Sequence, residues 1–208
     1  MQTSQPVNTV LIDDSDPGIQ YGPGWVNKPS LLAQSDPKYP MYGTLHETLN
    51  QSNLTYSFSG SSITACARVI ETQPSAQTLF GVLLWTCSVD SVQISSDVGY
   101  ATRGNYVGMD RSICCTLTVE LNPQVQHEIY ISAKGSQDQR ILFDYLIYET
   151  SLAVPVADLL ILPDDPTFRN IEGWEAQYSN PMTMDIDAIV STEPKANFTY
   201  DFYGSSIL

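Results

Sequence analysis

The chain has 208 residues, 42% of them hydrophobic and only 15% charged, and its 23 acidic against 9 basic side chains leave a net charge of −14. That balance opposes any partner bound through neutralised phosphates, which sets nucleic acid and anionic membrane surfaces aside. It favours divalent cations, neutral ligands such as sugars, or simply a well-solvated acidic surface.

No run approaches the roughly 20 apolar residues needed to cross a bilayer; the best, residues 79–85, is short and contains Gly81. The opening Met1 to Pro6 lacks the basic and apolar regions of a secretory signal, so a mature form or a missing upstream part is expected. Two sequons, Asn53-Leu54-Thr55 and Asn197-Phe198-Thr199, and four cysteines point to an oxidising, glycosylating compartment, with the chain extracellular or at the cell surface.

Taken in order, short apolar or alternating segments at residues 9–13, 19–26, 43–48, 54–59, 62–70, 79–89, 114–121, 127–133 and 140–149 read as strands. Helical periodicity is absent, so an all-β chain is expected. In the fourth segment Leu54, Tyr56 and Phe58 fall on one face and Thr55, Ser57 and Ser59 on the other, as a half-buried antiparallel strand requires, and Gly60 supplies the turn. Ile129, Ile131 and Ala133 repeat that alternation, and so do Leu142, Asp144, Leu146 and Tyr148.

An internal repeat underlies the pattern. Residues 53–63, NLTYSFSGSSI, align without gaps with residues 197–207, NFTYDFYGSSI, at eight of eleven positions. Upstream, Asp16-Pro17 and Gly24-Trp25 recur as Asp165-Pro166 and Gly173-Trp174 at the same internal spacing. A complete module over residues 1–150, a linker over 151–157 and the N-terminal part of a second, incomplete module over 158–208 are expected. A sandwich cut there leaves an inner face uncovered and strand edges unpaired, so the chain reads as a fragment or truncated product, unless 158–208 packs on the first module or swaps into a partner.

The blocks Asp13 to Pro17, Gly24-Trp25, Tyr56 to Ile63, Trp85-Thr86-Cys87-Ser88-Val89-Asp90 and Phe143 to Tyr148 resemble the galactose-binding-domain-like jelly rolls. In particular they are similar to the tandem ectodomains of uncharacterised secreted or single-pass membrane proteins of mushroom-forming fungi. The resemblance covers almost the whole chain and implies a jelly-roll β-sandwich. It also implies that a transmembrane helix often follows the second module in such proteins, so the parent chain is a candidate for membrane attachment.

Four cysteines, Cys66, Cys87, Cys114 and Cys115, allow three full pairings. The resemblance implies Cys87 joined to Cys114 or Cys115; adjacent strand residues point to opposite faces, so only one of them can meet Cys87, and the other is free or meets Cys66. No cofactor is required by the sequence. Calcium-bearing carbohydrate-binding jelly rolls use acids on the first and last strands, which by resemblance makes Asp13, Asp14 and Asp144 candidate ligands for a structural Ca²⁺; the other reading is that residues 13–16 form Asx-type turns.

Trp25 and Trp174 occupy equivalent places, as expected either of core residues or of sugar-stacking rings. The loop aromatics Tyr39, Tyr42, Tyr100 and Tyr106 are the better ligand candidates, since a rigid β-scaffold displays its binding groups on loops. No nucleophile elbow, triad or phosphate cradle is present, and the chain is expected not to be an enzyme. The leading expectation is an extracellular module that binds a cell-wall or cell-surface glycan; a structural or adhesive protein-contact ectodomain is the alternative, and a carbohydrate-active enzyme, which needs a cleft with two facing carboxylates, is the third reading.

Overall fold

The computed structural model describes residues 8–29, 40–71, 84–99, 110–117 and 119–152 and the short strands at 158–159, 168–169, 174–177, 188–191 and 199–200. It divides into two compact units, Met1–Leu160 and Ile161–Leu208. The first holds β1 (Asn8–Asp13), β2 (Gln20–Tyr21), β3 (Trp25–Pro29), β4 (Thr44–Thr48), β5 (Gln51–Phe58), β6 (Ser62–Glu71), β7 (Trp85–Val89), β8 (Val92–Gly99), β9 (Asp110–Thr116), β10 (His127–Lys134), β11 (Gln139–Thr150) and β12 (Asp158–Leu159).

These strands form two antiparallel layers. One runs β2-β5-β10-β7-β8. The other runs β8-β9-β6-β11, and the far edge of β11 is shared by β4 over its first half and β1 over its second, with β3 outside β4 and β12 outside β1. Strand β8 belongs to both layers, pairing β7 through Ile94 and β9 from Ser95 onward. The first unit is thus an all-β jelly-roll sandwich, as expected from the sequence. Among the described residues no helix is long and apolar enough to cross a membrane.

The core lies between the layers and is built by alternation. On β10, His127, Ile129, Ile131 and Ala133 are buried while Glu128, Tyr130 and Lys134 are exposed. Leu54, Ile63, Trp85, Ile113, Ile129, Ile131, Ile141, Phe143 and Leu146 are wholly enclosed, each burial being worth roughly 1.5–3 kcal/mol against exposure. Trp85 stacks on Phe143 at a centroid distance of 6.1 Å.

Three sequence expectations need correction. The stretch 19–26 is two strands, because Gly22, Pro23 and Gly24 break it and Gly24 adopts a φ of 99°, a conformation that favours glycine. Strand β8 was not expected, because the apolar-polar alternation of Val92, Gln93 and Ile94 is lost at Ser95-Ser96, where the chain passes between layers. On β11 the alternation changes phase: Ile141 and Phe143 face the core before a bulge between Phe143 and Tyr145, and Leu146 and Tyr148 after it. Asp144 therefore does not share a face with Leu146 and Tyr148, since one extra residue at a bulge shifts every later side chain.

Two disulfides, Cys66–Cys114 and Cys87–Cys115, use all four cysteines. Cys87 and Cys115 belong to the central core and tie β7 in one layer to β9 in the other. Cys66 and Cys114 are cross-strand partners on β6 and β9. Adjacent residues of one strand thus enter different bridges because their side chains leave opposite faces.

The second unit contains β13 (Phe168–Arg169) paired with β16 (Thr199–Tyr200), and β14 (Trp174–Gln177) paired with β15 (Ala188–Ser191). In the alignment of the two sequence copies Arg169 corresponds to Gln20 and Thr199 to Thr55. Both pairs, Gln20 with Thr55 and Arg169 with Thr199, are antiparallel cross-strand partners.

Candidate functional site

Strand β1 leads into a turn set by its own acids. The Ser15 N–H and hydroxyl donate to Asp13 Oδ2, the Gly18 N–H donates to Asp16 Oδ1 at 2.7 Å, and the Ile19 N–H donates to the Asp16 carbonyl at 3.1 Å. Such Asx-type bonds let a short polar side chain replace backbone partners at a chain reversal. Burial pushes the Asp13 carboxyl above its ordinary range, partly countered by the bonds from Ser15, and Asp13 Oδ1 has no hydrogen-bond partner among the described residues.

Asp14 is fully enclosed. Its carboxylate accepts from the Thr44 hydroxyl at 2.7 Å and from His46 Nδ1 at 2.6 Å, and its carbonyl accepts from the Tyr21 hydroxyl at 2.7 Å. Tyr21 lies parallel to the His46 ring, 4.0 Å between centroids, and burial, then the charges of Asp14, Asp13 and Asp16, push its hydroxyl above the ordinary tyrosine range. Asp144, at the β11 bulge, accepts on Oδ2 from Arg68 Nε and Nη2 at 3.1 and 2.9 Å.

The Asp14 N–H donates to the Asp144 carbonyl at 2.9 Å, so first and last strands do bring the three acids next to one another. Their carboxylates nevertheless turn to different partners: Ser15 for Asp13, Thr44 and His46 for Asp14, Arg68 for Asp144. Among the described residues no three His, Cys, Asp or Glu side chains gather around one point. A cation held by all three would have to displace both Arg68 and His46, partners the sequence reading did not identify.

Trp25 is half-buried; its indole N–H donates to the Asn53 carbonyl at 2.8 Å and its ring meets Tyr21 and Phe143 edge-on at 5.8 and 6.5 Å. Of its two readings, the structure gives the one in which it packs at the edge of the core. Tyr42 is exposed on a short 3-10 turn, Met41–Gly43, at a φ of 51°. Tyr39, Tyr100, Tyr106 and Asn197 lie outside the described residues.

A different aromatic stands out on the sheet itself. Tyr130, 41% exposed, projects from the middle strand of the layer β2-β5-β10-β7-β8. Its cross-strand partners are Thr55 on β5 and Ser88 on β7; Thr55 pairs onward with Gln20 on β2, and Ser88 with Gln93 on β8. The register therefore lines up Gln20, Thr55, Tyr130, Ser88 and Gln93 in one row across five strands, all on the outward phase of the pleat. The neighbouring row carries Asn53, Ser132 and Thr86.

These two rows set one aromatic ring among hydroxyls and carboxamides, with Glu128 and Lys134 on the same phase of β10. The signal in the sequence was the outward phase of β5 and β10; what brought the pieces together was pairing among five separate segments.

One end of this face is pinned by His127. Its Nδ1 lies 2.7 Å from Asp90 Oδ2 and its Nε2 3.0 Å from the Asn122 carbonyl. Both neighbours are acceptors, so only the imidazolium can donate to both. Burial opposes that charge, but the bonds to Asp90 and Asn122 outweigh it and raise the His127 pKa, while the backbone N–H of Glu128, then His127 itself, lower that of Asp90.

No family model matches the sequence, and no curated protein matches it. Among solved structures, the chain is similar to the catalytic domain of a GH87 α-1,3-glucanase in complex with nigerose, with 12% identity over 77% of this chain and a TM-score of 0.43. The Agl-KA catalytic domain matches with 14% identity over 79% and a TM-score of 0.42. A family 35 carbohydrate-binding module from an environmental isolate matches with 17% identity over 70% of this chain and 98% of that one, at a TM-score of 0.34. The chain spans about a third of the glucanase catalytic domains, 30% and 31% of their lengths. These matches correct one expectation: with hydrolase catalytic domains among the similar structures, the sequence-based exclusion of an enzyme does not stand.

Proposed function

We propose that this chain is a carbohydrate-binding β-sandwich module and that its ligand lies across the outer face of the β2-β5-β10-β7-β8 layer, centred on Tyr130. The observation that carries this reading is the register row Gln20-Thr55-Tyr130-Ser88-Gln93. A pyranose has one C–H-rich face, which packs on an aromatic ring, and a rim of hydroxyls that both donate and accept. Thr and Ser hydroxyls and Gln carboxamides offer both functions, and none has to be stripped of a full charge to bind a neutral sugar. A sheet held by core burial and a disulfide between the layers keeps these groups in place before the ligand arrives, which lowers the ordering cost of binding.

The two disulfides support an oxidising compartment, and with it an extracellular or cell-surface location. The matching registers Gln20 with Thr55 and Arg169 with Thr199 support the second unit as a second copy of the module.

The test is a glycan array probed with the full folded chain freed of N-linked sugar, with the bound glycans recovered and checked for cleavage. Binding confined to one class of neutral saccharide is the expected result. An array left empty by folded protein would overturn the reading and leave protein contact as the role of this face.

A further inference from the structure

We infer that Asn53 carries an N-linked glycan whose first sugar rests on the Tyr130 ring, so that the chain's own glycan covers the centre of the proposed binding face. The consequence for ligand binding rests on the function proposed above; the geometry does not.

The sequon Asn53-Leu54-Thr55 lies within β5, with Leu54 buried in the core and Asn53 exposed on the outer face. Its threonine, Thr55, is the cross-strand partner of Tyr130, and Asn53 is the partner of Ser132, two residues further along β10. Asn53 and Tyr130 are therefore diagonal neighbours on one face, a relation that puts side chains roughly 7–8 Å apart and within reach of an aromatic. An N-acetylglucosamine on Asn53 Nδ2 spans that gap. Its apolar ring face then finds the exposed phenol of Tyr130, the large aromatic in the outward row.

Gly22 makes room on the other side: a Cβ there would collide with the Asn53 carboxamide, so glycine lets that side chain lie along the sheet. The Gly22 N–H and the Trp25 indole both donate to the Asn53 carbonyl, fixing the backbone from which the glycan departs.

The modification needs a lipid-pyrophosphate-linked oligosaccharide as donor. Asn53 Nδ2 attacks its anomeric carbon, the C–O bond to pyrophosphate breaks as the N–C bond forms, the amide gives up one proton and the lipid pyrophosphate leaves. The transfer precedes the pairing of β5 with β10, while the sequon is still accessible.

The experiment uses the full chain carrying Asn197→Gln, secreted from a glycosylating eukaryotic host and trimmed to a single N-acetylglucosamine. The same chain with Asn53→Gln is compared with it, together with folded protein from which an amidase has removed the sugar by hydrolysing the side-chain amide, leaving a carboxylate at position 53. Glycopeptide mass reads occupancy of Asn53. Nitration of Tyr130, referred to the exposed Tyr42, reads coverage of the ring.

The expected result is an occupied Asn53 and nitration of Tyr130 several-fold slower with the sugar than in either sugar-free form. An unmodified Asn53, or equal nitration with and without the sugar, would overturn the inference. Glycan binding by all forms is measured in parallel. If none binds although the sugar protects Tyr130, the proposed function falls and the inference stands; if the sugar-free forms bind and the sugar-bearing form binds equally well, the inference alone is overturned.

Discussion

Opening the Cys87–Cys115 bridge is the most direct probe of how the two layers are held together. The bridge closes a loop of 28 residues and lies in the core, joining β7 of one layer to β9 of the other. Constraining a loop of that length in the unfolded chain contributes about 3.5 kcal/mol. Replacing both cysteines with alanine also leaves two small cavities among Trp85, Ile113 and their neighbours, which adds to the loss. For a unit of this size a change of about 3.5 kcal/mol lowers Tm by roughly 7–14 °C. Thermal and denaturant unfolding of Cys87→Ala/Cys115→Ala against the parent, followed by the fluorescence of the enclosed Trp85, measures it. A loss below about 1 kcal/mol, far under the chain-entropy figure, or a peptide map joining Cys87 to Cys114, would refute the account.

Three further outcomes follow from the polar contacts. His127 is raised above 6.5 and Asp90 lowered below 3.8, so the histidine's contribution is complete below about pH 6.5 and is lost as pH rises through its raised folded value, while that of Asp90 is lost only as pH falls through its lowered one. The Tm difference between the parent and His127→Gln should therefore shrink between about pH 5 and about pH 8, and a constant difference would contradict this. Asp144→Ala removes the carboxylate that accepts from Arg68 Nε and Nη2 and should cost about 3 kcal/mol in denaturant unfolding; a neutral result would show the pair to be solvent-screened. A side chain at Gly60 would run into the Glu149 carbonyl and the Tyr148 ring, so Gly60→Ala should destabilise by about 1–3 kcal/mol, and an unchanged Tm would show that the turn can move aside.

Much of the fold was legible because alternation is a local property. The phases of β5 and β10 could be read directly, and the neighbouring Cys114 and Cys115 had to face opposite ways. The bulge on β11 was not legible: Leu142, Asp144, Leu146 and Tyr148 alternate correctly on paper, and only the extra residue between Phe143 and Tyr145 reverses the face. That reversal hands Asp144 to Arg68, two residues 76 positions apart.

The Asp14 site was hidden for a related reason, since Thr44 and His46 reach it from β4, 30 and 32 residues away. The Tyr130 row depends on the register of five strands drawn from most of the first unit. The outward phases of β5 and β7 show hydroxyls and amides, that of β10 adds Glu128 and Lys134, and the aromatic at their centre gains meaning once they are aligned.

The central claim, that the Tyr130 face binds carbohydrate, is tested most directly by affinity for the array-selected saccharide in the parent chain, Tyr130→Ala and Tyr130→Phe. The account predicts that alanine abolishes measurable binding while phenylalanine, which keeps the ring, retains most of it. Unchanged affinity in Tyr130→Ala, with the protein folded, would contradict the claim.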